Sequence, residues 1–143
     1  MRVSTKGDYG VRAMIDLAHH VGEGPIQSSE IAARQRIPEP YLDQLLTTLR
    51  RAGFIRSVRG PQGGHALVRD PYEIRLTEVM AALEGSLGPF TDIVHTCPQV
   101  EKCAQREVWE EVEHATLAIL DRHTIGEMAE HDRQAAVPQR YYI

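Results

Sequence analysis

Residues 38–69 read PEPYLDQLLTTLRRAGFIRSVRGPQGGHALVR, and this stretch decides the fold. Pro40 suits the first turn of a helix, where a missing N–H costs nothing. Leu42, Leu45, Leu46 and Leu49 follow at i, i+3, i+4 and i+7, a stripe that turns inward. The opposite face carries Tyr41, Asp43, Gln44, Thr47, Thr48 and Arg51, side chains able to hydrogen-bond bases or phosphates. Gly53 is a natural C-terminal stop. Next come two β-prone runs, FIRSV and HALVR, joined by Arg59-Gly60-Pro61-Gln62-Gly63-Gly64. They predict a hairpin with a flexible, basic tip. A helix of this kind followed at once by a basic hairpin is the order of a winged helix-turn-helix.

The flanks complete that motif. Upstream, Ser28 can cap a short helix that buries Ile31 and Ala32, with Glu30 against its N-terminal partial charge. Ile37 and Pro38 end it, because the residue before proline is pushed out of the α region. A first helix is signalled by Thr5 and Asp8 in a capping-box-like pattern, then by Tyr9, Ala13, Met14, Leu17, Ala18 and Val21 at helical spacing. Gly22, Gly24 and Pro25 stop it.

Downstream, residues 76–84 (LTEVMAALE) predict a fourth helix ended by Gly85, and residues 86–103 a loop holding both cysteines. From about 104 to 123, one face carries Val108, Trp109, Val112, Ala115, Thr116, Ile119 and Leu120, while glutamates crowd the other. At such spacing Trp109 is expected to be a dimer or core anchor. Thr124 and Glu127 form a second capping box for a short final helix. The expected fold is mainly α with a small β-hairpin. A winged helix-turn-helix domain spans 1–85 and a sensor loop 86–103. A dimerisation helix and short C-terminal helix span 104–132, and a tail 133–143, whose Tyr141, Tyr142 and Ile143 can dock on the body.

The 143 residues suffice for one compact domain with an appended helical arm. No stretch approaches the roughly 20 apolar residues of a membrane span, and MRVSTKGDYG lacks a signal peptide's apolar core, so a cytoplasmic protein is expected. The net charge of −4 hides an asymmetry. Residues 34–69 hold seven arginines against Glu39 and Asp43, a local charge of +5, whereas residues 70–143 carry −8. One segment suits a polyanion and the other solvent or a partner subunit. No phosphate-binding glycine loop, HExxH or nucleophile–base signature is present, so an enzyme is not expected.

With these elements placed, the chain resembles the iron–sulfur cluster regulator and nitric-oxide-sensing repressor family of bacterial winged-helix transcription regulators. The resemblance covers about residues 1–130. It rests on MRVSTKGDYGVRAM, on PEPYLDQLLTTLRRAGFIRSVRGPQGG, on the loop with Cys97 and Cys103, and on TIGEM near the end. It implies a homodimer whose long helices cross, with Val108, Trp109, Val112, Ile119 and Leu120 buried between subunits. Two-fold symmetry would match a palindromic operator in double-stranded DNA. It also implies that Ser28, Tyr41, Gln44 and Arg51 lie on or near the backbone or major groove, with Arg59, Gly60, Pro61 and Gln62 as the wing. Asp43 can influence base choice by accepting from cytosine or repelling phosphate.

The resemblance further implies an iron–sulfur cluster, held in better-known members by three cysteines and a fourth, different ligand. Here two thiols remain: Thr91 stands where a first cysteine is expected, and Arg106 where some members place a histidine. Arginine does not ligate iron. Some relatives use an acidic residue of the partner subunit at the position of Asp8, although Asp8 equally suits a helix N-terminus without metal. His95 offers an imidazole two residues from Cys97, or is simply solvated. Asp92, Glu101 and Glu107 are further carboxylates, and the remaining histidines at 19, 20, 114, 123 and 131 form no compact ligand spacing. The expectation is a labile two-iron, two-sulfur (2Fe-2S) centre on Cys97, Cys103, Asp8 and His95, since mixed ligation weakens a soft-metal site. The alternatives are a thiol pair that closes on oxidation, or a cluster-free regulator gated by a protein partner or small metabolite.

Overall fold

Residues 3–85, 87 and 103–137 are described by the computed structural model, and within them five of six helices pack about one apolar core beside a two-stranded sheet. Helix α1 (Thr5–His19) is capped one residue earlier than expected, by Ser4 rather than Thr5: Ser4 accepts from the Gly7 N–H at 3.1 Å. The reason is tertiary. Ser4 is also held by Glu84, which accepts from both its hydroxyl and its N–H. Ala13, Met14, Leu17 and Ala18 are buried as expected, but Val21 lies beyond the end of the helix and is 59% exposed. Gly10 faces Leu83 of α4 (Leu76–Glu84) so closely that a Cβ there would overlap the leucine side chain.

Helix α2 (Ser28–Gln35) is also displaced by one at its cap. Gln27 occupies that position, its N–H donating to Glu30 at 3.3 Å, and Ser28 is the first helical residue. Arg36 ends the helix in the left-handed region at φ 53°, which swings buried Ile37 back into the core. Helix α3 (Glu39–Arg51) then starts with Pro40 in its first turn, and Leu42, Leu45, Leu46 and Leu49 are all buried. Burying four leucines contributes roughly 1.5–3 kcal/mol each relative to exposure.

Strands β1 (Ile55–Val58) and β2 (Gly64–Leu67) form the expected antiparallel hairpin, with Ile55 opposite Leu67 and Val58 opposite Gly64. Its root is pinned by a third extended segment: Ile26 and His65 exchange hydrogen bonds of 2.8 and 2.7 Å. Gly64, at φ 149°, lies against the Ile26 backbone, where a side chain would collide. A 3-10 turn (Pro71–Glu73) leads into α4, which matches residues 76–84 as expected.

The second half departs from the expected grouping. Helix α5 (Ala104–Asp121) is the long amphipathic helix, and none of its residues is buried. Helix α6 (Ile125–Ala136) is longer than expected and includes residues assigned above to a tail. It opens on the Thr124 and Glu127 capping box and packs on α1, with Ile125 and Ala129 in the main core. It therefore shares the core formed by α1 to α4. The α5–α6 junction is fastened to the same body, because Leu76 donates to His123 O and Ile125 to Ile74 O, both at 2.9 Å.

Candidate nucleic-acid interface

Helix α3 presents Asp43, Gln44, Arg50 and Arg51 to solvent, opposite its leucine stripe. Thr47 and Thr48 are half-buried and donate back to the carbonyls of Asp43 and Gln44, at 2.9 and 3.1 Å. Tyr41 is less free than its place on the polar face suggests. Its ring meets Tyr9 of α1 edge-on at 5.8 Å and packs against the core. Arg12 stacks over Tyr9 at 4.6 Å, donates to the Gln35 carbonyl at 2.9 Å, and pairs with Asp8 at 3.2 Å. One side chain thus ties α1 to the C-terminus of α2 and, through Tyr9, to the start of α3. Sequence reasoning missed Arg12, although its spacing from Asp8 is that of a helical ion pair.

The wing tip is exposed at Arg59, Gly60, Pro61 and Gln62. Gly60 adopts φ 112° and its carbonyl accepts from Gly63 N–H at 2.9 Å, a tight turn that only glycine enters freely. Two of the seven arginines in residues 34–69 are consumed internally. Arg34 makes a forked contact to the buried Asp16 at 2.8 and 3.0 Å, which holds its guanidinium more firmly charged. Arg69 is bound by Glu78, whose carboxyl is pushed down by that hydrogen bond and by the Arg75 N–H. Among the described residues, Arg36, Arg50, Arg51, Arg56 and Arg59 have no acidic partner within 4.0 Å. They are distributed over the α2–α3 turn, the end of α3 and the wing. Asp16 went unrecognised as the organiser of α2, because its partners Arg34 and Gln35 lie far away in sequence.

This arrangement of helix, left-handed turn, leucine-backed second helix and basic hairpin is matched by comparison with known proteins. Residues 3–131 fit the model of the Rrf2 family, described as "Iron-dependent Transcriptional regulator". The chain belongs to the Rrf2 family of transcriptional regulators. Members are transcription regulators rather than enzymes. The Rrf2 chain is 35% identical over its whole length, and over the whole of that relative, to the HTH-type transcriptional regulator CymR of Bacillus subtilis. It is 36% identical over 129 residues to the HTH-type transcriptional regulator IscR of Vibrio cholerae, covering 90% of this chain and 75% of the relative. Among solved structures, T. potens IscR superposes with a TM-score of 0.83 at 42% identity, covering 99% of this chain and 95% of that one. CymR (YrzC), the global cysteine regulator of B. subtilis, gives 0.80 at 36% identity, over 92% of this chain and 98% of that one. The winged-helix fold expected from residues 38–69 is that of these neighbours.

The expected cluster ligands divide differently. Cys97, His95, Thr91, Asp92 and Glu101 lie outside the described residues. Cys103 is half-buried at the N-cap of α5, and Glu107 is exposed in that helix's first turn. Asp8 is exposed on α1 and engaged by Arg12. Among the described residues, no group of three His, Cys, Asp or Glu side chains could hold a metal ion. Nor is any described helix long and apolar enough to cross a membrane.

Proposed function

We propose that this Rrf2 regulator binds a palindromic operator as a homodimer, each subunit reading one half-site. The observation that carries this is the set of four arginines without acidic partners, Arg36, Arg50, Arg51 and Arg59, spread over the α2–α3 turn, α3 and the wing. Gln44, Asp43 and Arg51 face the major groove, Ser28 and Tyr41 meet the backbone beside it, and Arg59 with Gly60, Pro61 and Gln62 enters the minor groove. The exposed apolar residues of α5 supply the dimer contact. Arg59→Ala tests the wing on duplexes selected from a random pool. Affinity should fall, and the slope of log affinity against log salt should flatten by about 0.9 as one phosphate contact is lost. Unchanged affinity and slope would remove the wing from the interface.

For the signal, we propose a cluster or thiol redox state acting through Cys97 and Cys103. The family description "iron-dependent" supports an iron centre, proposed as 2Fe-2S with Asp8 of the second subunit and His95 completing the donors. Exposure of Asp8 on α1 leaves it accessible to another chain. A second reading is favoured by the full-length match to CymR, the global cysteine regulator of B. subtilis. In it the signal is a protein partner or small metabolite and no cluster forms. The visible spectrum and iron content of anaerobically purified protein separate the two. A brown protein whose iron is lost in Cys97→Ser, Cys103→Ser and Asp8→Ala supports the cluster; a colourless one that takes up no iron on reconstitution supports the second reading.

A further inference from the structure

Away from α3 and from the cysteine loop, a cleft of about 620 Å³ opens between β2, the 3-10 turn, the end of α1 and α6. Leu17, Ile26, Leu67 and the Tyr72 ring form its apolar lining. Val21, Val68 and Tyr72, three of the large apolar side chains that the chain leaves exposed, all gather at this cleft. Exposed apolar side chains scattered singly need no explanation, but a cluster in a concavity of this size does.

Its charges are unequal. The lining carries Arg56, Arg69 and Arg133 against a single acid, Asp70, which accepts from the Tyr72 N–H at 2.9 Å; beside it Glu130 accepts from the Tyr72 hydroxyl at 3.1 Å. Glu23 faces His20 at 3.9 Å. Of the lining cations, Arg69 is bound by Glu78. Arg133 donates to the Ala18 carbonyl at 3.3 Å, and Arg56 lines the cleft from β1; among the described residues neither has an acidic partner. A concave apolar surface carrying two unneutralised guanidinium groups fits an anion with a hydrocarbon body.

We infer that this cleft binds a small organic anion, its acidic group met by Arg133 and Arg56 and its apolar body laid over Leu17, Leu67 and Tyr72. The volume falls in the range of single-ligand sites, roughly 300–1,000 Å³. The walls come from the wing and from the helix that follows α5, so an occupant touches both.

Anilinonaphthalene sulfonate, an aromatic sulfonate that fluoresces on leaving water, is a suitable probe, with uncharged phenylnaphthylamine as its neutral counterpart. Titrated into the full chain, the sulfonate should bind saturably with one site per chain, and more weakly as salt is raised. Arg133→Ala should weaken it about tenfold, the loss of one charge-assisted hydrogen bond. Ala66→Trp, which fills the cleft from β2, should abolish it. Circular dichroism of both variants should match that of the parent. Should Arg133→Ala unfold, Ala66→Trp and the neutral probe still decide. The proposal is overturned if the parent takes up no sulfonate, if the neutral probe binds equally well, or if a folded variant binds the sulfonate as the parent does.

Discussion

Asp16 is 2% exposed, and its carboxylate accepts two N–H groups of Arg34 and one from Gln35 Nε2. Those donors replace the water that a carboxylate this deep has lost. Asp16 fixes α2 on α1, and so sets the first helix of the DNA-reading pair. Arg34→Ala leaves the carboxylate with Gln35 and the edge of His20, and should lower stability by about 2 kcal/mol, discounted from a fully buried pair because Arg34 is itself partly exposed. Arg34→Lys should recover less than half of that, since an ammonium cannot make the forked contact. Urea midpoints for the three proteins check both statements, and coincident midpoints would mean that Asp16 is satisfied without Arg34.

At the scale of elements, the wing depends on backbone pairing of His65 with Ile26 rather than on a large buried surface. Burial holds the His65 imidazole below its ordinary range, aided by Arg50 and opposed by Asp43. The folded state therefore binds fewer protons than the unfolded state as pH falls past about 6.5, so stability should drop in that direction. Urea midpoints at pH 7.5 and 5.5 should differ in the parent and converge in His65→Thr; equal pH dependence would place the titrating group elsewhere. The wing's strands were legible because their turn chemistry is local, and α3 because its leucines keep strict helical spacing. The caps of α1 and α2 were each misplaced by one residue. At Ser4 the deciding partner, Glu84, is eighty residues away. Asp16 was illegible for the same reason, since a carboxylate on an apolar helix face announces a buried partner without saying which one. The extent of α6 was underread because its last turns are polar, and its attachment to α1 is a property of the tertiary structure.

For the molecule as a whole, Val108, Val112 and Ile119 of α5 are 51%, 37% and 50% exposed in one chain, an apolar face left to solvent. A second copy is the proposed cover. Ile119→Glu places a charge where that contact would form, and sedimentation should then show monomers or aggregates in place of dimers. A folded dimer of undiminished DNA affinity would put the subunit contact on another surface. The far end of α5 has a different consequence. Its C-terminal junction is stitched to the body through His123 and Ile125, yet the helix contributes no residue to the core, which draws on α1 to α4, the wing and α6. Substitutions in α5 consequently escape the purifying pressure that folding of the body exerts on Leu42 or Met14. A lineage can therefore exchange residues beside this helix one at a time without passing through an unfolded ancestor.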